Sequence, residues 1–295
     1  MKKLKVIFGI ALACALALSC LAFTACGSPL EDGTFNIDTT KQATDAELKT
    51  FNENVAAANK TTGEGINEVF ENKSFKVATN VSMSMDQSGI KMGYAYKLEG
   101  IVNATKEPTA KLKGDVDMSV TATGVSESAK GTVEMTLVSN TIYMLTKSGE
   151  STEKYKFDIS SLGNIGGLVP NSETSVYATT DETAVSVEEF LQDIKDAFTS
   201  FGMTVSPKLY INGGVMKIQL TDENHLGIAY DNDWHIKGVD VVLKGADLSA
   251  TIGVNIKFDI EFAMRAANAE TVTTPSDAKD YKDYLDFSGG LDGLL

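Results

Sequence analysis

In the stretch LSATIGVNIKFDIEFAM, residues 248–264, apolar and polar side chains alternate along the whole length, and this pattern indicates the fold class. A period of two puts successive side chains on opposite faces of an extended strand. Strict alternation of this kind is typical of an antiparallel sheet with one face on a core and the other in water. The stretch therefore predicts a long strand in a wide, curved sheet, with a turn before it at Gly245-Ala246-Asp247.

The same period of two begins near Ser74 and continues to about Ile159. Turn-forming residues interrupt it at 86–89, 106–108 and 148–152, and such close spacing predicts a meander. A further hairpin is predicted at Asn212-Gly213, a dipeptide that suits a tight turn. Together these strands predict one antiparallel sheet of about 10–12 strands.

Two regions have helical periodicity instead. Ser186 and Glu189 have the spacing of a capping box, and Gly202 is placed to end the helix that they begin. The apolar stripe of this helix consists of Val187, Phe190, Leu191, Ile194, Phe198 and Phe201. Residues 45–70 predict either one broken helix or two short ones. The chain is therefore predicted to be an α+β domain, with helices near 45–70 and 186–201 packed on one face of the sheet.

The N-terminal segment has the three-part layout of a secretory signal. Lysines at positions 2, 3 and 5 precede an apolar run from Val6 to about Ala22, and small residues precede Cys26. We predict cleavage before Cys26; Cys20 is a weaker second candidate, and an uncleaved membrane anchor is the alternative, since the run is close to the length of about 18 residues that can span a bilayer. Either topology makes the rest of the chain extracytoplasmic.

These patterns divide the chain into four predicted segments. They are a signal peptide at 1–25, a flexible tether at 26–44, a folded domain at 45–264 and a C-terminal tail at 265–295. The tether is rich in Gly, Ser, Thr and Asp and has no apolar period, as expected of a linker.

Composition excludes several classes of function. The net charge is −14, and Arg265 is the one arginine of the sequence, so a nucleic-acid partner is not predicted. The three cysteines all lie in the signal segment or at its end. The predicted domain therefore has no disulfide, no thiol nucleophile and no cysteine-ligated metal.

In element order, residues 45–264 resemble the LolA/LppX-like family of bacterial envelope lipoproteins and carriers. The segment Phe23–Ser28 resembles the lipobox of such proteins, and 271–281 is similar to the ends of many Gram-positive lipoproteins. The resemblance implies an unclosed β-barrel whose concave face is covered by helices and whose interior takes up acyl chains. It also implies that Cys26 is acylated and anchors the protein to the bacterial cell membrane.

No arrangement of residues predicts catalysis, a cofactor or a metal site. Familiar hydrolase, metalloprotease and phosphate-loop motifs are missing from the sequence. If 231–233 is a three-residue hairpin loop, His225 faces Val239 and His235 faces Ala229, too far apart to share an ion. The acidic residues of that loop suit a turn without calcium. We therefore predict that the protein is not an enzyme.

Methionines and aromatic residues on the apolar phase of the strands are typical of ordinary core packing, and the alternative is that they line a deformable apolar cavity under the helices. The predicted ligand-binding residues are Phe75, Met83, Tyr94, Tyr96, Leu98, Phe190, Ile194, Phe198, Phe258 and Phe262. The predicted function is binding of an apolar or amphipathic, lipid-like ligand between sheet and helices. The alternative is a non-catalytic structural or interaction module on the cell surface, whose protein partner the sequence does not specify.

Overall fold

The computed structural model of the chain describes the sheet, two helices and the segments beside them. The described ranges are 33–59, 73–87, 89–105, 107–122, 125–158, 186–200, 202–247 and 255–283. The predicted signal peptide, Cys26, Phe201 and the second part of the 45–70 helical region lie outside these ranges. Among the helices within them, none has the length and apolar character needed to cross a bilayer.

Twelve strands of the described chain form one sheet. They are β1 (Lys73–Gln87), β2 (Ile90–Ala104), β3 (Thr109–Ala122), β4 (Val125–Val138), β5 (Thr141–Ser148), β6 (Ser151–Asp158), β7 (Lys208–Asn212), β8 (Val215–Gln219), β9 (His225–Tyr230), β10 (Ile236–Asp247), β11 (Asn255–Ala267) and β12 (Lys282–Asp283). The helices are α1 (Asp45–Asn59) and α2 (Val187–Ser200).

The sheet consists of two meanders joined side by side. Its order is β12-β6-β5-β4-β3-β2-β1-β11-β10-β9-β8-β7, so β1 and β11 form the seam between the meanders. Every pairing is antiparallel except the short parallel one between β12 and β6. The two edge strands, β12 and β7, are not paired with each other. The prediction of an α+β fold with one large, open sheet is confirmed.

One predicted boundary is wrong. Gly245-Ala246-Asp247 does not form a turn, because β10 continues to Asp247 with a register shift between Leu243 and Ala246. Within the described residues, β11 extends from Asn255 to Ala267. The remaining part of the predicted strand, 248–254, lies outside the described residues.

Pleat alternation gives the sheet an apolar face and a polar face. One cross-strand row illustrates the apolar face: Val77 lies opposite Met264, which lies opposite Val239. A single large core cluster includes these residues together with Leu48 and Phe51 of α1. It also includes Phe190, Ile194 and Phe198 of α2. Both helices therefore contribute to a core built on the apolar face.

Capping boxes begin both helices. In α2, Ser186 Oγ accepts a hydrogen bond from Glu189 N, and Glu189 Oε2 accepts one from Ser186 N, which confirms the predicted box. Thr44 and Glu47 make the equivalent pair of bonds at α1. Val187 N also donates to Asp45 Oδ1 at 2.7 Å, so the first turns of the two helices are linked directly.

Helix α2 ends as its sequence predicts. Gly202 has a φ of +73°, and Met203 N donates to Phe198 O. A left-handed residue just beyond the last turn lets the chain reverse while the final carbonyls stay hydrogen-bonded.

Phe35 lies within the segment predicted as a tether, yet it is buried. Its ring occupies the space above Gly227, where an added Cβ would come within 2.5 Å of it. The guanidinium of Arg265 lies over the same ring, 4.9 Å from its centroid. Because Gly227 and Arg265 lie on β9 and β11, residues near 35 are held against the polar face of the sheet.

The segment after β11 contacts the other meander on the same face. Asn103 Nδ2 donates to Glu270 O at 2.9 Å, and Lys154 forms an ion pair with Asp277. Tyr281 packs edge-on against Tyr143, with ring centroids 5.4 Å apart. The described part of the predicted tail thus lies against the sheet.

Candidate functional site

The ten predicted ligand-binding residues do not form one cluster. Five of them are buried members of the large core: Phe75, Phe190, Ile194, Phe198 and Phe262. Tyr96 and Phe258 are partly buried at its margin, and Leu98 belongs to a separate small cluster with Leu112. Met83 is exposed, and Tyr94 is half-buried. The predicted set therefore runs from the packed core to the surface.

Beyond this margin the apolar face of the sheet is open to solvent. The strands β1 to β4 reach their hairpin turns here, where Gln87 pairs with Ile90 and Ala122 with Val125. Five large apolar side chains are exposed at this end, namely Met83 (38 %), Ile90 (46 %), Met118 (44 %), Val120 (42 %) and Val125 (63 %). We refer to these five residues as the distal apolar patch.

The register makes the distal apolar patch continuous with the core margin. Met83 lies opposite Phe258 on one side and Tyr94 on the other, and Tyr94 lies opposite Met118. Along β1, Met83 is two residues from Val81, which belongs to the core cluster. Three of the predicted residues, Met83, Tyr94 and Phe258, are therefore cross-strand neighbours on one face.

This patch is suited to apolar contact. Scattered surface apolar residues are common, but a contiguous group marks an interaction or ligand surface more often than a lone residue does. Methionine side chains are flexible and polarizable, so they adapt to ligands of different shape. The five side chains themselves are not ionisable, and Glu127, which pairs with Val120 on the same face, places one carboxylate beside them.

The two histidines lie at opposite ends of a hairpin. The predicted register is wrong, since His225 pairs with Val242 and Ala229 pairs with Gly238. Tyr230 pairs with Ile236, so five residues separate the two strands. Within this loop Asp231 N donates to His235 O, and Asp231 Oδ1 accepts hydrogen bonds from Asp233 N and His235 N. His225 begins β9, whereas His235 lies past the end of that strand.

The same loop brings three potential metal ligands together. Ligand atoms of Asp231, Asp233 and His235 lie within 4.8 Å of one another. Asp231 Oδ1 already accepts two backbone hydrogen bonds that close the loop. These bonds show that the Asp231 carboxylate stabilises the turn. We therefore do not assign the three residues as a metal site.

No protein-family model matches the chain, and no curated protein matches it. The resemblance to LolA/LppX-like lipoproteins is therefore a prediction from the sequence.

Proposed function

We propose that the protein is an extracytoplasmic lipoprotein that binds an apolar or amphipathic, lipid-like ligand and has no catalytic activity. Acyl chains on Cys26 would anchor it to the bacterial cell membrane. The observation that carries the ligand proposal is the distal apolar patch, where the apolar face of the sheet continues past the core with five large side chains exposed. Exposure of such a surface in water has a free-energy cost that a bound apolar chain would remove.

The proposed binding site begins at the core margin and extends along the strands. Phe258 and Tyr96 pack against the core, and Met83 and Tyr94 lead from them to the patch. In this proposal the sheet curves as an unclosed barrel, and the helices cover its concave side. An acyl chain would lie along the sheet beyond the helices, with its polar end in water.

The energetics of such binding are adequate. Each methylene removed from water contributes about 0.8 kcal/mol. Burial of about ten methylenes therefore contributes about 8 kcal/mol, before the entropy lost on binding is subtracted. Methionine-rich contacts give little shape selectivity, so we expect tolerance of chain length.

A second candidate is a non-catalytic interaction module whose apolar patch contacts another protein. The burial of five predicted ligand residues in the core cluster favours it, because side chains such as Phe75 and Phe190 that pack against other core residues are not free to contact a ligand. Ligand binding by the purified protein separates the two candidates.

The first test places a charge in the proposed path of the ligand. Met118→Glu should weaken binding of the fluorescent fatty acid cis-parinaric acid by about tenfold or more, because burial of the carboxylate costs at least about 1.4 kcal/mol. The free energy of unfolding should change by no more than about 0.5 kcal/mol, since Met118 is exposed. Fluorescence titration and urea denaturation of the full-length protein measure the two effects.

The matched control is Ser119→Glu. Ser119 is exposed on the same strand but faces the other side of the sheet, and the variant adds the same charge. It should bind the probe as the wild type does. Equal weakening by both variants would contradict a site on the apolar face, and failure of the wild type to bind any apolar probe would leave the interaction module.

The anchor has its own test. Metabolic labelling with an alkyne fatty acid should tag the wild-type protein, and Cys26→Ala should abolish the label because the acylated thiol is gone. Cys20→Ala should keep the label. A Cys26→Ala protein that is still labelled and processed normally would contradict the anchor assignment.

A further inference from the structure

A groove of about 460 Å³ crosses the polar face of the sheet. Two adjacent cross-strand rows on β11, β1, β2, β3 and β4 form it. The first row is Asp259, Ser82, Ala95, Asp117 and Lys130, and the second is Lys257, Ser84, Gly93, Ser119 and Ser128. All ten residues line the groove.

The groove lies on the side of the sheet opposite the distal apolar patch. The intervening row contributes Met83, Tyr94, Met118 and Phe258 to the lining, but pleat alternation directs these side chains to the apolar face. The groove is thus a separate surface. It spans five strands, or about 19 Å at the usual strand spacing.

Small residues make the floor of the groove. Gly93 has no side chain, and a Cβ added there would approach Ser119 Oγ within 2.6 Å. Ala95 and Ser82 pair with each other in the neighbouring row. The depression therefore follows from the sequence, because long side chains stand only at its two ends.

Charged side chains of both signs form the end walls, and they are already paired. At the β4 end, Lys130 Nζ donates to Asp117 Oδ2 at 2.8 Å, and this bond raises the pKa of Lys130. At the β11 end, Ser82 Oγ and Gly245 N donate to Asp259 at 2.9 Å and 2.7 Å respectively. The lining contains two lysines and two aspartates, so its formal charge is zero.

Serine hydroxyls between the walls are available to a ligand. Ser84, Ser119 and Ser128 are exposed, and their hydroxyl groups have no hydrogen-bond partner among the described residues. Each can donate one hydrogen bond and accept others. The groove thus presents donors and acceptors in similar measure.

We propose that this groove binds a short, neutral oligosaccharide. Sugar hydroxyls both donate and accept, so they can bond to the serines, to the paired carboxylates and to the ammonium groups without separating any ion pair. A volume of about 460 Å³ lies in the usual range of ligand sites. This assignment is independent of any ligand on the apolar face.

Charged ligands fit the groove less well. An anion would gain from Lys130 and Lys257 but would meet Asp117 and Asp259 beside them. A cation would gain from Asp117 and Asp259 but would meet Lys130 and Lys257 beside them. Because the ring of Tyr94 faces the other side, a sugar would be held by hydrogen bonds alone, and we expect a Kd of about 1 mM, equivalent to about −4.1 kcal/mol.

The experiment uses a substitution that fills the floor of the groove with a larger side chain. Saturation-transfer NMR on the full-length protein, with chitotriose, cellotriose and maltotriose as probes, should show transfer to at least one of them. Ala95→Ile should weaken that binding by about tenfold or more, since Ala95 is exposed at the centre of the floor and its new side chain would occupy the space of the sugar. Isoleucine suits a strand, so the fold should be kept.

The control is Ser126→Ile, which adds the same side chain on the same face at an exposed position outside the groove. It should leave binding unchanged. The proposal is overturned if none of the three sugars shows transfer, or if both variants weaken binding equally. Binding of cis-parinaric acid should be unaffected by Ala95→Ile, so failure here and failure of the lipid proposal are distinguishable.

Discussion

Replacing Arg265 with alanine is expected to lower the free energy of unfolding by about 3–5 kcal/mol, as is usual when one partner of a buried ion pair is removed. Arg265 is 8 % exposed, and its Nη1 donates to Asp240 Oδ1 at 2.6 Å and to the carbonyl oxygens of Val239 and Met264 at 3.0 Å. The variant would leave a largely buried carboxylate without its cation. It would also remove the cation that covers the ring of Phe35.

Urea denaturation, with comparison of midpoint and slope, measures this loss. Lys244→Ala is the control, because Lys244 also pairs with a carboxylate across the sheet, that of Glu261 at 2.9 Å, but is half-exposed; it should cost no more than about 1 kcal/mol. Arg265→Lys should fall between the two, since lysine keeps the charge and loses the fork geometry. A cost below about 1 kcal/mol for Arg265→Ala would contradict the role assigned to this residue.

Phe198→Ala is expected to cost about 3–5 kcal/mol, the usual range for a buried phenylalanine in a packed core. Phe198 is buried near the C-terminal end of α2, in the cluster that also contains Phe190 and Ile194. The loss combines the transfer of the ring to water with the cavity that remains.

The same denaturation experiment distinguishes a packed core from a loose one. Leu191→Ala, at a partly buried position of the same helix, should cost clearly less than Phe198→Ala. Binding of cis-parinaric acid by folded Phe198→Ala protein should be close to wild type, because the distal apolar patch lies beyond the helices. A loss below about 2 kcal/mol, with altered binding, would indicate instead that α2 covers a cavity.

Much of the fold follows from local patterns in the sequence. The alternation of apolar and polar residues between Phe75 and Met85 predicted β1 and which of its side chains face the core. Asn212-Gly213 predicted the β7–β8 hairpin. The Ser186/Glu189 box and Gly202 predicted both ends of α2. These signals succeed because each depends on residues that are near neighbours in the chain.

The predicted turn at 245–247 failed because distant residues determine the backbone there. Lys244 N donates to Asn224 Oδ1, and Gly245 N donates to Asp259 Oδ1. These side chains satisfy the amide groups that the register shift leaves outside the regular ladder. With its hydrogen bonds supplied from β11 and from the loop before β9, β10 continues where glycine and aspartate suggest a reversal.

The exposure of the candidate site also depends on distant residues, so local sequence patterns do not predict it. Alternation places Val81 and Met83 on the same face, but it cannot show that the core covers the first and leaves the second exposed. The helices that decide this come from other parts of the chain. Phe35 is a comparable case, since its only local signal is one aromatic residue in a polar segment, and its partners Gly227 and Arg265 are far away in sequence.

The seam between β1 and β11 has a consequence for the order in which the protein folds. Among the described strands, every other antiparallel pairing joins strands that are consecutive in the chain, whereas Asn80 and Glu261 meet across 181 residues. Such a contact forms slowly because a long loop must close first. A chain that is synthesised from its N-terminus would present the edge of β1 unpaired until β11 arrives. That edge is then the part of the molecule most exposed to aggregation, and a chaperone that protects it would act before the C-terminal third is released.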